Sequence, residues 1–276
     1  MDILLFPFQL PFMQTAFLIA ALIAPAAALL SCFLVLKGWS LMGDAVSHAV
    51  LPGIVLAYVA GIPVLIGAFV AGLLCSVGVG YIRDNSRIKA DTAMGVVFAG
   101  MFGFGIVLHT KISPEIHLDH ILFGNIFGVG PTELWTAGII SAAVVVIVTV
   151  KWRDILTHAF DPVQARMVGM QGGVIHYGLL AMLSAAIVAM LSSVGIILAI
   201  GMLIAPGAIG FVLSRRFVPM MGWAVSAAII SAVGGVYLSF WLDTDAAPTI
   251  ILLLTLLFVL ALVGKRLFGR RHKADG

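Results

Sequence analysis

The chain has 276 residues, of which 62% are hydrophobic and only 10% charged, and its mean hydropathy is +1.18. Soluble domains carry about 25% charged residues, so a water-soluble enzyme or binding module is excluded and most of the chain belongs in a bilayer. The net charge of +3 comes from basic residues scattered between apolar runs, which argues against a nucleic-acid partner and for anchoring at lipid headgroups.

A membrane-crossing helix needs about 20 mostly apolar residues. Nine runs qualify: 13–36, 40–60, 62–82, 92–110, 132–150, 174–191, 193–213, 219–241 and 247–264. Eight is the alternative, because only Gly61, Ile62 and Pro63 part the second run from the third, and only Ser192 and Ser193 part the sixth from the seventh. The expected fold is therefore an all-α polytopic membrane protein, with residues 1–276 forming a single transmembrane domain. The segment before the first run, MDILLFPFQLPF, has no basic leader, and no cleaved signal peptide is expected. With nine alternating spans, every Lys and Arg except Lys111 falls on one side, which the positive-inside rule makes the cytoplasm. The N-terminus is then outside and the C-terminus inside.

The second run carries the most chemistry. It opens WSLMGDAVSHAVLPG, residues 39–53, and holds Asp44 and His48 inside an apolar setting. Four residues apart on a helix puts them on one face, a turn apart. Carboxylate and imidazole are both good donors to a divalent transition metal, and an ionisable group at membrane depth is rarely there without a function. From Lys37 at the inner interface, Asp44 lies about 10 Å deeper and His48 about 16 Å deeper, near the midplane where transporters hold their cargo. Pro52 has no N–H, so the carbonyl of His48 loses its ordinary helical donor. The competing structural reading is an Asp–His pair that ties two helices together.

After the fourth run comes HTKISPEIHLDHILFGNIFGVGP, with His109, Glu115, His117, Asp119 and His120. His117 and His120 are three apart with Asp119 between them. The grouping suits either an outer metal-handling vestibule or ordinary solvated groups, and the spacing matches no tight metal motif. The connection between the fifth and sixth runs holds Asp161 followed by Pro162, a helix start, and Gly169, a helix stop. A helix of about two turns on the inner face is expected there, either simply interfacial or docking a cytoplasmic partner. The seventh run is rich in Gly and Ala, which permits close packing, and Pro206 is expected to kink it. Asp243 and Asp245 sit in the last outer loop, and the basic tail reads as a headgroup anchor. Cys32 and Cys75 are isolated small hydrophobes. GxxxxGK[ST], HExxH and GxSxG are all absent from the sequence, so no ATPase or hydrolase chemistry is read in this chain.

Four segments together resemble the permease subunit of manganese/zinc/iron-type ABC importers: GDAVSHAVLPG at 43–53, LDHILFGNIFG at 118–128, DPVQARMVG at 161–169 and GIILAIGMLIAPGAIG at 195–210. The likeness runs over nearly the whole chain and looks closest to the bacterial manganese and iron branch. It implies a multi-pass protein of the bacterial cytoplasmic (inner) membrane that is not itself an enzyme. It also implies a homodimer or paired permease, two copies of a cytoplasmic ABC ATPase, and an extracytoplasmic metal-binding protein. No permanently bound cofactor is implied; the divalent metal (Mn, Fe or Zn) is cargo. In that family the Asp and His of the second span coordinate the metal, which here are Asp44 and His48. Asp161, Gln164, Ala165 and Gly169 resemble the coupling helix that docks into the ATPase. One departure is Gly207-Ala208-Ile209-Gly210, where the family often has Ala and Thr; it touches packing alone. The rivals are an ATP-independent proton-coupled carrier or channel using the same pair as a proton relay, and a permease for organic chelates or vitamins.

Overall fold

The computed structural model describes residues 2–112 and 124–274. Among them every regular element is helical. A short α1 (Asp2–Gln9) precedes α2 (Pro11–Leu36), α3 (Met42–Ala49), α4 (Leu51–Ala60), α5 (Val64–Asn85) and α6 (Ala90–Ile112). A 3₁₀ turn (Ile126–Gly128) leads into α7 (Pro131–Phe160), α8 (Pro162–Met167), α9 (Gly172–Val194), α10 (Ile196–Leu213), α11 (Phe217–Leu242) and α12 (Ala246–Ala274). Among the described residues nine stretches are long and apolar enough to cross a membrane, one for each run expected from the sequence, with α3 and α4 together forming the second.

Three boundaries differ from the sequence reading. α7 does not stop near residue 150 but continues to Phe160. Its 30 residues make it about 45 Å long, longer than a hydrocarbon core of about 30 Å. Lys151 and Asp154, 3.3 Å apart on successive turns, continue the helix once the apolar residues end. The sixth and seventh spans part at Gly195 (φ 84°), not at Ser192–Ser193. Both serine hydroxyls donate back to the carbonyl of Ala189, so they stay within α9. The second span, finally, loses its regular hydrogen-bond ladder at Val50, which keeps helical dihedrals (φ −68°, ψ −25°), and so divides into α3 and α4. α10, by contrast, continues through Pro206 to Leu213.

The most enclosed span is α2, whose small residues let α7, α10 and α11 approach it. A Cβ on Gly207 of α10 would lie 2.5 Å from the carbonyl oxygen of Ser31 in α2. Such close backbone approach is how helices associate where no hydrophobic drive exists between them. The second group is the α4–α5 hairpin with α3, α6 and α9 around it. Gly61 turns this hairpin in the left-handed conformation (φ 67°), and Gly53 and Gly67 face each other across it. A Cβ on Gly53 would sit 2.1 Å from the Gly67 carbonyl oxygen, so only glycine fits. Ser76 and Ser184 join α5 to α9 through a buried hydroxyl pair at 3.2 Å.

Candidate metal site in the broken second span

The site begins where α2 ends. Gly38 (φ 67°) reverses the chain and the N–H of Trp39 donates to the carbonyl of Leu34 at 2.8 Å, so Trp39 is buried as α3 starts. Asp44 falls in the first turn of α3, where the helix dipole favours a carboxylate, and His48 in its last. The opposite face of α3 is buried. Gly43 abuts Leu203 of α10, Val46 reaches Gly72 of α5, and the Cys75 thiol of α5 points at the carbonyl of Ala45, 3.8 Å away. Ser47 donates to the carbonyl of Gly43 at 2.7 Å and is thereby satisfied within the helix. The regular hydrogen-bond ladder is then interrupted at Val50, and the His48 carbonyl, which Pro52 cannot serve, accepts from a backbone N–H at the helix end instead. α6 closes against this break, with Gly105 so near that a Cβ there would lie 2.9 Å from the Pro52 ring.

His48 Nε2 lies 3.5 Å from Asp44 Oδ1, with the two side chains 26% and 39% exposed. That is longer than an ordinary charge-assisted hydrogen bond. Two donors this far apart can share one cation: with bonds of about 2.1 Å the angle between them is about 110°, near tetrahedral. A mixed N/O donor pair suits Mn²⁺, Fe²⁺ and Zn²⁺ alike. The ring of His48 is flanked by Phe98 and Phe102 of α6, with centroids 5.4 and 5.3 Å away. Among the described residues no three His, Cys, Asp or Glu side chains gather closely enough to hold a metal by themselves.

The other sequence candidates lie elsewhere. Glu115, His117, Asp119 and His120 fall outside the described residues. His109 is on the last turn of α6, with a buried Nε2 that has no hydrogen-bond partner among the described residues. Asp161 caps α8: its Oδ1 accepts from the N–H groups of Val163 and Gln164 at 3.0 and 2.9 Å. Gln164 is exposed, Ala165 is fully buried, and Gly169 (φ 79°) ends the motif. These residues form one structure on α8, packed on α7 and α9 and separate from the Asp44–His48 pair. Phe98 and Phe102 went unmarked in the sequence; the one available signal was two aromatics four apart on the helix that follows the motif hairpin.

A nine-span helical bundle with a carboxylate and an imidazole lodged beside a break in one span is a multi-pass membrane protein of the transport class. The chain belongs to the ABC 3 transport family, which it matches over residues 9–265. It is 52% identical over 261 residues to the "Probable iron transport system membrane protein" of Haemophilus influenzae, covering 95% of this chain and 96% of that one. It is 42% identical over 263 residues to the "Manganese transport system membrane protein MntB" of Synechocystis, covering 95% and 86%. Its fold is similar to that of PsaBC from Streptococcus pneumoniae, solved in complex with Fab, with a TM-score of 0.81, 33% identity and 91% of each chain covered. The membership bears out the resemblance read from the four sequence segments.

Proposed function

We propose that this chain is the membrane-spanning subunit of an ATP-driven importer of a divalent transition metal ion, manganese or iron foremost and zinc by the same chemistry. The whole chain acts as one permease domain, with its N-terminus outside and its C-terminus in the cytoplasm of a bacterial inner membrane. Asp44 and His48 receive the cation midway across. The observation that carries this reading is the 3.5 Å separation of one oxygen and one nitrogen donor, on partly exposed side chains, at the break in the second span. Relatives named for iron and manganese transport support the choice of cargo.

One chain offers two donors, and a transition metal wants at least four. A second permease copy supplying its own Asp and His completes the set, which favours a homodimer. Incomplete coordination also suits a site that must release its ion. ATP hydrolysis resides in a separate cytoplasmic ATPase docked at α8 through Asp161, Gln164, Ala165 and Gly169, and an extracytoplasmic binding protein delivers the metal. His117, Asp119 and His120 are secondary candidates on that outer side.

The test is accumulation of radiolabelled manganese, iron and zinc in cells that co-express the chain with its ATPase. Asp44→Ala and His48→Ala should each abolish uptake of one metal at normal membrane levels. Full uptake in both variants refutes the site. Uptake that persists with an ATPase unable to hydrolyse ATP supports the proton-coupled carrier instead.

A further inference from the structure

An imidazole has two nitrogens with separate tasks. When one binds a metal, the other carries the proton and normally donates it to a carboxylate, a carbonyl or water. That outer partner fixes the ring and raises its basicity, and losing it typically weakens metal binding about 10–100-fold. His48 is built differently. Its Nε2 faces Asp44, while its Nδ1 is buried and has no hydrogen-bond partner among the described residues.

In place of a polar partner stand two phenyl rings. Phe98 is tilted 53° to the imidazole and Phe102 76°, and the two are stacked on each other at 5.9 Å and 25°. They come from one face of α6, four residues apart. Their placement is tightly set: three residues beyond Phe102, Gly105 presses against Pro52 and locks α6 to the break. The free side chain is best served with its proton on Nε2, pointing at Asp44. Binding a cation through Nε2 moves that proton to Nδ1, which is buried with no polar partner among the described residues, and the phenyl rings packed on the imidazole are at best weak acceptors.

We propose that Phe98 and Phe102 are positioning residues of the cation site, holding the His48 ring by packing alone and withholding the polar partner that would make it a strong ligand. This rests on Asp44 and His48 being the donors. The pair orients Nε2 toward Asp44 without strengthening it, so the cation is captured weakly and released at every cycle. A resident metal site needs affinity and recruits a hydrogen-bond acceptor for its histidine; a site for cargo needs turnover, and this ring is walled by hydrocarbon instead.

The experiment uses the permease assembled with its ATPase subunit and Mn²⁺ as the probe. Paramagnetic resonance of Mn²⁺ gives the Kd, and nitrogen coupling to the bound ion reports the imidazole. Phe98→Gln and Phe102→Gln each put an amide acceptor against the imidazole, where it can reach the buried Nδ1; Phe98→Leu and Phe102→Leu keep the wall apolar. At least one Gln variant should bind Mn²⁺ about tenfold more tightly, retain the nitrogen coupling and show a lower maximal uptake rate in vesicles. The Leu variants should match the wild type in both. Phe98→Ala with Phe102→Ala should lose the nitrogen coupling as the ring is released. Gln variants that match the Leu variants, or nitrogen coupling that survives the double Ala change, overturn the proposal while leaving the site in place. A wild type without nitrogen coupling, whose Kd is unmoved by His48→Ala, overturns the site itself.

Discussion

Two histidine neighbourhoods in this bundle have opposite characters. His48 sits on a broken span beside a carboxylate, its side chain 26% exposed, with one nitrogen facing a second donor. His158, near the end of α7, and His176, in the second turn of α9, are 9% and 8% exposed. Their ring centroids are 6.2 Å apart, and His176 meets Trp39 edge-on at 5.6 Å and Tyr177 at 5.3 Å. Glycines make the room: a Cβ on Gly172 would lie 3.2 Å from His158 Cε1, and one on Gly80 3.2 Å from His176 Nε2. Lys37 and Arg83 lie over Trp39 at 4.3 and 4.8 Å. On the proposed reading, the cation donor is set apart not by burial but by partial exposure with a carboxylate one helical turn away; the enclosed pair packs between α7, α9 and the turn after α2.

The sharpest way to break this contrast is to remove each imidazole in turn. His48→Ala should lower metal uptake roughly a hundredfold or more, beyond what loss of an outer-shell partner alone produces, while membrane abundance and detergent melting stay at wild-type values. Asp44→Ala should do the same. Next in size is the hairpin that supports the site. Gly53→Ala drives a methyl group into the Gly67 carbonyl and the Ala71 side chain, 2.1 and 2.6 Å away. Overpacking of this severity costs about 3 kcal/mol, so the variant should be scarce in membranes and melt at a lower temperature. A Gly53→Ala protein that accumulates normally would show that α4 and α5 can part freely.

The enclosed histidines predict the reverse of His48. His176→Ala should cost about 2 kcal/mol through lost packing, visible as a lower melting temperature and abundance, with uptake per assembled molecule retained. His176→Phe keeps an aromatic against Trp39 and should recover most of the stability. If uptake per molecule fell in the Ala variant while stability held, the two neighbourhoods would not differ as described.

Much of this was legible in the sequence because the membrane enforces it. Nine apolar runs of helical length had to become nine spans, and the four-residue spacing of Asp44 and His48 had to put them on one face. Pro52 marked the region of the break, although the interruption falls at Val50. What stayed hidden has a common cause, which is that polarity was read as interruption. Lys151 and Arg153 ended an apolar run without ending α7, since charged side chains are good helix formers once past the hydrocarbon. Ser192 and Ser193 looked like a turn, yet each hydroxyl found a carbonyl of its own helix. The converse error hid Phe98 and Phe102. In an apolar run an aromatic carries no mark of its neighbour, and only the packing of α6 on Pro52 brings them to His48. Trp39 and His176 are far apart in sequence, and their edge-on contact is a product of topology.

The smallest effect concerns α8, whose contrast with the candidate metal site is one of exposure. Apart from the buried Ala165, its described side chains face outward, and a helix of six residues is too short to persist on propensity. It is held by its cap, where one carboxylate oxygen of Asp161 serves two backbone N–H groups, and at its far end by the Met170 N–H returning to the carbonyl of Ala165 at 3.0 Å. Removing the cap with Asp161→Ala should cost about 1 kcal/mol. That is too little to unfold the bundle but enough to fray a six-residue helix, and on the proposed function this helix docks the ATPase. Uptake should fall a few-fold, and basal ATPase activity of the assembled complex should be less responsive to the binding protein. Asp161→Asn separates two explanations, because asparagine caps nearly as well and carries no charge. Recovery in the Asn variant means that Asp161 acts by shaping α8. Failure of both variants means that its charge is what the ATPase reads.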